Sequence, residues 1–365
     1  MLVTKKNKIS KVAEIEKKYK FIRTVVAILI ALIISFILIA VTSSDPVKAL
    51  RIFMTGPLTS INRMGFVVEK AIPLLFTGTA ICIMYKCGQI NVSIESGFFF
   101  GGVIAAWVAV TKGIPEIVHP VLAIIAGGVA GAFIAGIVAI WHTKFKAMTL
   151  VTSLMLNYVF LNIGQYIINY IIWDPYIGYQ ASYLYEESSK LSKLFSKTGI
   201  HSGLLLAIAV VIFGYVLIFR TKFGYSIRMI GKNENFAKYS GIKTSFYIVA
   251  CQLIGGFIAG AGGAVEQLGM YKRFTYGGLS GHGFDGVTIA VISGLDPRLV
   301  PIASLFLGYI RTGAEVMSRQ TDVPTEIVAI VQAIVIVFVA AERFLTKYKE
   351  KEIVKNAELA MKEGE

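Results

Sequence analysis

Charge is what this chain is short of. Only 16% of its 365 residues are Asp, Glu, Lys or Arg, where a soluble domain carries about a quarter. That deficit excludes an ordinary water-soluble fold. Cysteine is scarce as well: Cys82, Cys87 and Cys251 are the three present. None stands in Cys-x-x-Cys spacing or beside a histidine, which argues against a metal site and leaves them as small hydrophobes within helices. There is no Gly-x-x-x-x-Gly-Lys-Ser/Thr loop, so the chain has no usual cradle for the phosphates of ATP. His-Glu-x-x-His, Gly-x-Ser-x-Gly and clustered His/Asp patterns are missing too. The four histidines, His119, His142, His201 and His282, are scattered over different helix ends, which argues against an enzyme.

What the chain has instead is apolar length. Hydrophobic residues make up 55% of it, with a mean hydropathy of +0.68, and they come in blocks. A helix needs about 20 apolar residues to cross about 30 Å of hydrocarbon. Hydropathy and turn signals draw such segments at 21 to 42, 64 to 84, 95 to 111, 120 to 141, 149 to 172, 202 to 219, 245 to 268, 284 to 295, 299 to 318 and 325 to 343. The expected fold is an all-α integral membrane bundle of about ten crossings. The first segment is too long for a signal-peptide core and no small-residue cleavage site follows it, so it reads as a retained helix behind a basic segment at 1–20.

Net charge of +14 does not indicate nucleic acid, because the basic residues sit at the ends of apolar segments instead of forming one face of a soluble fold. They set orientation instead. With both termini in the cytoplasm, 24 of the 36 Lys and Arg fall on inner segments, counting Arg23 and Arg343 at the adjoining span ends, and 10 on outer ones, the distribution the positive-inside rule favours. This threading gives a membrane domain at 21–343, an outer loop at about 173–201 in which a short surface helix is expected, an inner loop at about 220–244 and a cytoplasmic tail at 344–365. Trp107, Trp141 and Trp173 lie near segment ends, at the depth an amphipathic ring prefers.

Small residues recur about one turn apart, as Gly127 with Gly131 and as Gly256, Gly260 and Gly263. Such spacing lets helix backbones approach closely in lipid. Polar residues inside the segments need a partner or a cavity. Asn91 and Glu95, one turn apart where the third segment starts, read either as the lining of a polar opening or as a capped helix start. Asn157, Asn162 and Gln165 read as a donor and acceptor stripe suited to a nucleobase or ribose, or as interhelical glue. Glu266, Gln267 and Asp285 read as an outer gate or as solvated helix ends, and the spacing of Arg311 and Glu315 predicts an ion pair within one helix.

The inner loop runs Gly224-Tyr225-Ser226-Ile227-Arg228-Met229-Ile230-Gly231-Lys232-Asn233-Glu234 and on through Phe236, Lys238 and Tyr239 to Gly241. A short helix capped by Asn233 and stopped at Gly241 is expected there. It reads as a handle for a cytoplasmic partner or as a basic loop bound to lipid headgroups. This segment resembles the cytoplasmic loop of the permeases that serve ATP-binding-cassette (ABC) importers of simple sugars, branched-chain amino acids and nucleosides. Three further stretches resemble the same family in the same order: Gly88-Gln89-Ile90-Asn91-Val92-Ser93-Ile94-Glu95, then Met155-Leu156-Asn157-Tyr158, then Gly281-His282-Gly283-Phe284-Asp285-Gly286. The last two have the wording of the nucleoside branch. Ser93 and Ser96 stand where the family commonly has glycine, and Gly97 where it has glutamine.

The resemblance covers about residues 60 to 345. It implies a multi-pass permease in a prokaryotic plasma membrane that forms the pathway for a nucleoside, with a simple sugar or an ion-coupled transporter as alternatives. It further implies a cytoplasmic ABC ATPase, often twin-cassette, which holds the ATP. The other implied partners are a second permease subunit, either related or identical, and an extracellular substrate-binding lipoprotein. Gly231, Asn233, Glu234, Phe236, Lys238, Tyr239 and Gly241 would then contact the ATPase.

Overall fold

A computed structural model describes residues 29–337, apart from 31, 32, 42, 196, 197, 325, 328, 329, 332, 335 and 336. The basic start, the tail, and the parts of the first and last apolar segments at 21–28 and 338–343 lie outside the described residues. By its contacts the chain divides into a smaller unit, Met1–Gly56 with Gly313–Glu365, and a larger one, Pro57–Thr312.

In the smaller unit, helix α1 (Pro46–Thr55) opens on Asp45, whose carboxylate accepts from the Lys48 N–H at 3.1 Å. Pro46 occupies the first helical position, where no N–H is needed. The hydroxyls of Ser43 and Ser44 and the Ser44 N–H donate to Asp322, the last at 2.8 Å. These donors hold the Asp322 carboxyl well below the usual carboxylate range.

Among the described residues, the regular structure of the larger unit is helical. Its elements are α2 (Ile61–Lys86), α3 (Ile94–Val110), α4 (Val118–Phe145), α5 (Thr149–Tyr166) extended by a π-turn (Ile167–Ile171), α6 (Gly203–Arg220), α7 (Lys222–Lys232), α8 (Glu234–Tyr239), α9 (Thr244–Met270), α10 (His282–Ile292) and α11 (Val300–Gln320), whose last turns belong to the smaller unit. Five of them, α2, α4, α5 with its π-turn, α6 and α9, are long and apolar enough to cross a membrane. Helices α3 and α10 are apolar but shorter. The 11 residues of α10 rise about 17 Å, roughly half the hydrocarbon thickness.

Helix α9 is the axis of the larger unit and packs on α2, α3 and α4. Its glycines explain how. A Cβ on Gly256 would stand 2.5 Å from the Gly131 carbonyl oxygen and 3.0 Å from Ala132 Cα, and one on Gly101 would stand 2.5 Å from Gly260 Cα. Backbone therefore meets backbone across α3, α4 and α9, the contact that small residues permit in lipid. Outward faces of α4 and α6 are apolar, with Val121, Ile125, Val129, Ile208, Ile212 and Phe213 exposed. Trp107, Trp141 and Trp173 are all partly exposed.

Two opposite ends follow from the packing. At one end the turn after α2 meets α7, where Gly88 takes φ +78° and its Cα faces Gly231. Gln89 reaches Thr149 there, and Arg298 lies over the rings of Tyr215 and Phe219 at 5.3 and 5.5 Å. At the other end the described residues of the segment 172–202 fold over the bundle. Tyr185 donates to Gln267 at 2.8 Å, the Glu186 N–H donates to Ala109 O at 2.9 Å, and His119 bonds Ser188 and Val108 O. The surface helix expected there amounts to one 3-10 turn, Glu187–Ser189; the segment spends its backbone bonds on α3 and the end of α9 instead.

His201 closes this cover. Its ring is fully buried against Gly203 and Gly269, and burial lowers its pKa to about 4. The fold holds the neutral ring, while the unfolded chain takes up a proton near pH 6.5. The stabilisation is therefore complete above about pH 6.5 and lost as pH falls towards 4, by up to about 3 kcal/mol. Thermal unfolding of the detergent-solubilised chain across that range should show this acid limb, and His201→Leu should flatten it. In the same assay Gly256→Val should destabilise by about 1–3 kcal/mol or more, because it overpacks a backbone contact. Gly277→Ala, with no atom within 4 Å of its Cβ, should be silent.

Candidate functional site

The shortness of α3 and α10 leaves two helix starts in the interior of the bundle, and each brings backbone N–H groups that no helix partner satisfies. One carboxylate answers the second start. Glu95, in the first turn of α3, accepts from the Gly281 N–H at 2.6 Å through Oε1 and from the Gly283 and Phe284 N–H groups at 2.7 and 3.3 Å through Oε2. It thus caps α10 from another helix and lies at the positive ends of both. The cap works because Gly283 has no side chain: a Cβ there would stand 2.5 Å from the Glu95 backbone. Gly281 takes φ +80°, a left-handed turn that aims its N–H at the carboxylate.

The break before α3 is closed by side chains of α5 and α9. The Val92 N–H donates to Ser153 Oγ at 3.2 Å, Asn157 Nδ2 donates to Val92 O at 3.2 Å, and the Ser96 N–H donates to Asn157 Oδ1 at 3.3 Å. Asn91 accepts from the Ser93 N–H at 2.8 Å and donates to Gln252 Oε1 at 2.9 Å. Asn91, Glu95, Asn157 and Gln252 are all at most 1% exposed.

A second polar layer adjoins Glu95. His282 Nε2 lies 3.2 Å from Glu266 Oε1, and the imidazole stacks on Phe98 with centroids 5.1 Å apart. Asp285, one turn into α10, pairs with Arg311 of α11. Gln165 donates to Tyr276 O at 2.8 Å, tying α5 to the segment that leads into α10.

The residues singled out in the sequence therefore separate. Asn91 and Asn157 close the break before α3, Glu95 caps the break before α10, and Glu266, Gln165 and Asp285 join the adjoining layer. Asn162 does not belong with Asn157 and Gln165. It lies on the exposed side of α5 and donates to Tyr158 O at 2.7 Å. The Arg311 and Glu315 pair is also corrected: Arg311 engages Asp285, and Glu315 lies 4.0 Å from Arg319. The Asp285 side chain is 15% exposed against 53% for Glu315, so the shielded carboxylate is the one that most needs the cation. His282, Gln252, Ser153 and Arg311 were not legible as site residues. His282 and Arg311 each pair with a carboxylate of another helix, Glu266 of α9 and Asp285 of α10, and the packing of α10 brings them together.

At the end that holds the turn after α2, the segment from Gly231 to Gly241 builds a separate surface. Asn233 caps α8 by accepting from the Phe236 N–H at 2.9 Å, and Gly241 ends it at φ +81°. Ala237 is buried and anchors the helix, leaving Phe236 at 56% and Tyr239 at 91% exposure, with Glu234 and Lys238 also exposed. Gly231 admits no Cβ, because the Lys86 carbonyl occupies its place.

Comparison with known proteins agrees with this architecture. Residues 63–340 match the family described as branched-chain amino acid transport system / permease component. The glucose ABC transporter permease protein TsgB13 of Haloferax volcanii is 29% identical, over 89% of this chain and 88% of its own length. The guanosine ABC transporter permease protein NupP of Bacillus subtilis is 27% identical, over 87% and 92%. The nucleoside ABC transporter permease protein NupB of Lactococcus lactis is 26% identical, over 94% and 98%. No solved structure matches the chain.

Removing the Glu95 cap should be costly. Glu95→Ala leaves the buried Gly283 N–H without an acceptor, at about 1–3 kcal/mol, and the part-buried Gly281 and Phe284 N–H groups as well. Glu95→Gln keeps the shape but turns an amide donor towards them, and should fall between Ala and the parent. Unfolding of the solubilised chain reads that order; equal stability of all three would contradict the capping role.

Proposed function

The chain belongs to the branched-chain amino acid transport system / permease component family, and from that premise we propose that it forms the translocation pathway for a nucleoside in an ATP-driven importer. The observation that carries this reading is the near full-length likeness to permeases named for guanosine and for nucleosides. A simple sugar is the second reading, favoured by the equally long likeness to a permease named for glucose.

The proposed topology has about ten crossings with both termini in the cytoplasm. Two observations support it. The charge distribution favours that side, and α7, α8 and the turn after α2 gather at one end of the bundle while the 172–202 cover lies at the other. The first end then faces the cytoplasm. There the exposed Phe236, Lys238 and Tyr239 of α8 meet a separate ATPase, which binds the ATP. A second permease completes the pathway, and an extracellular lipoprotein delivers solute to the covered end.

ATP binds elsewhere and must bias the outward and inward forms through a contact that differs between them. Helix α8 is suited to this. It is short, capped at both ends and joined through Gly231 to the turn that precedes the α3 break, so a push on α8 reaches the site through backbone contacts. Asn91, Glu95, Asn157, Asn162, Gln165, Glu266 and Asp285 are the residues assigned to the pathway or its support.

Proteoliposomes carrying the complete transporter test this. Nucleoside uptake should require ATP and the binding protein, and Lys238→Glu should lower solute moved per ATP by up to about fivefold, the worth of one exposed ion pair, while leaving membrane insertion intact. Uptake by this chain alone, driven by a proton or sodium gradient, would overturn the reading.

A further inference from the structure

The exposed side of α5 carries a second polar feature, distinct from the buried network. Met155, Tyr158, Asn162 and Tyr166 follow one another at spacings of three and four residues and share one line on the helix. They are exposed, Tyr158 by 62% and Tyr166 by 59%. Four residues beyond Tyr166, within the π-turn at Ile167–Ile171, Tyr170 stacks its ring on Tyr166 with centroids 5.0 Å apart. A π-turn costs hydrogen-bond geometry and recurs at functional positions.

Depth distinguishes this line from an interfacial belt. Tyr170 stands near the end of the span, where headgroups accommodate a phenol. Tyr158 and Asn162 do not: they lie nine and thirteen residues into a 23-residue span, on either side of its midpoint. An amide and a phenol facing hydrocarbon there are unfavourable. The outward faces of α4 and α6 carry aliphatic and Phe side chains at similar depth, with no comparable polar line. Among the described residues Asn162 engages one of its amide hydrogens, on Tyr158 O within its own helix, and its remaining capacity points to a polar neighbour beyond them.

We propose that the Met155, Tyr158, Asn162 and Tyr166 line is a wall of the water-filled pathway, where the phenol rings stack on the flat base of a passing purine nucleoside and the Asn162 amide bonds its edge. This rests on the nucleoside reading above and adds where the base is recognised. Aromatic rings offer a sequence-tolerant face to any base, and an amide offers both a donor and an acceptor to the base edge. A free pentose has no such flat face, so the line discriminates against it.

The test uses the complete transporter in proteoliposomes, with Asn162→Cys as the probe site. Cys82, Cys87 and Cys251 are buried, so background labelling by a charged, membrane-impermeant thiol reagent is low. Asn162→Cys should react, and a saturating purine nucleoside presented with the binding protein should slow that reaction at least tenfold while ribose does not. Tyr158→Ala should raise the KM for the nucleoside at least tenfold, with Tyr158→Phe close to the parent. If Asn162→Cys fails to insert, Met155→Cys takes its place on the same line. A cysteine that never reacts, because lipid or a second permease seals this face, overturns the proposal, and so does labelling that the nucleoside leaves unchanged. Either result leaves ATP-dependent nucleoside uptake by the parent transporter intact, whereas loss of that uptake would instead remove the nucleoside reading itself.

Discussion

The Glu95 carboxylate is the point on which the larger unit depends. Two helices, α3 and α10, begin inside the bundle, and a backbone that starts there has donors that water would normally satisfy. One carboxylate in the first turn of α3 accepts from the donors of the α10 start and lies at two converging dipole ends at once. The glycines around it follow from that requirement. Gly283 is bare so that the backbone can come close, and Gly281 is left-handed so that its N–H turns inward. The Asn91, Ser153 and Asn157 side chains do the same work for the preceding break, with amides and a hydroxyl where α10 has a carboxylate. Irregular backbone at membrane depth persists only where protein groups replace water in this way.

Much of this was legible in the sequence, and the parts that were not share a cause. Long apolar runs announce α2, α4, α5, α6 and α9 because hydropathy reports length and composition, which are local properties. The Asn233 cap and Gly241 stop of α8 are local too, and they stand where the pattern placed them. Asn91 and Glu95 were visible as costly residues with two readings, an opening or a capped start. Glu95 caps a helix, but the helix is α10, nearly two hundred positions away. Spacing along one helix also misled at Arg311, where Glu315 is the near neighbour in sequence and Asp285 the near neighbour in space.

The treatment of α5 shows the same limit from the other side. Asn157, Asn162 and Gln165 look like one stripe when only residue type is weighed. On the helix they divide, with Asn157 turned to α3, Gln165 to Tyr276, and Asn162 outward among tyrosines. A helix that serves both the interior and an external face carries two polar patterns at once, and a single sequence does not say which residue belongs to which. Burial decides it, and burial depends on what the other helices cover.

The glycine contacts between α4 and α9 restrict how this molecule can change shape. Helices separated by side chains slide by switching rotamers, each of which gives a neighbour somewhere to go. Where Gly131 meets Gly256 and Gly101 meets Gly260 there are no rotamers to switch, so the only ways to move are to separate outright or to travel together. A transport cycle built on this chain must therefore carry α3, α4 and α9 as a single stiff plank and place its flexing in helices that touch through longer side chains.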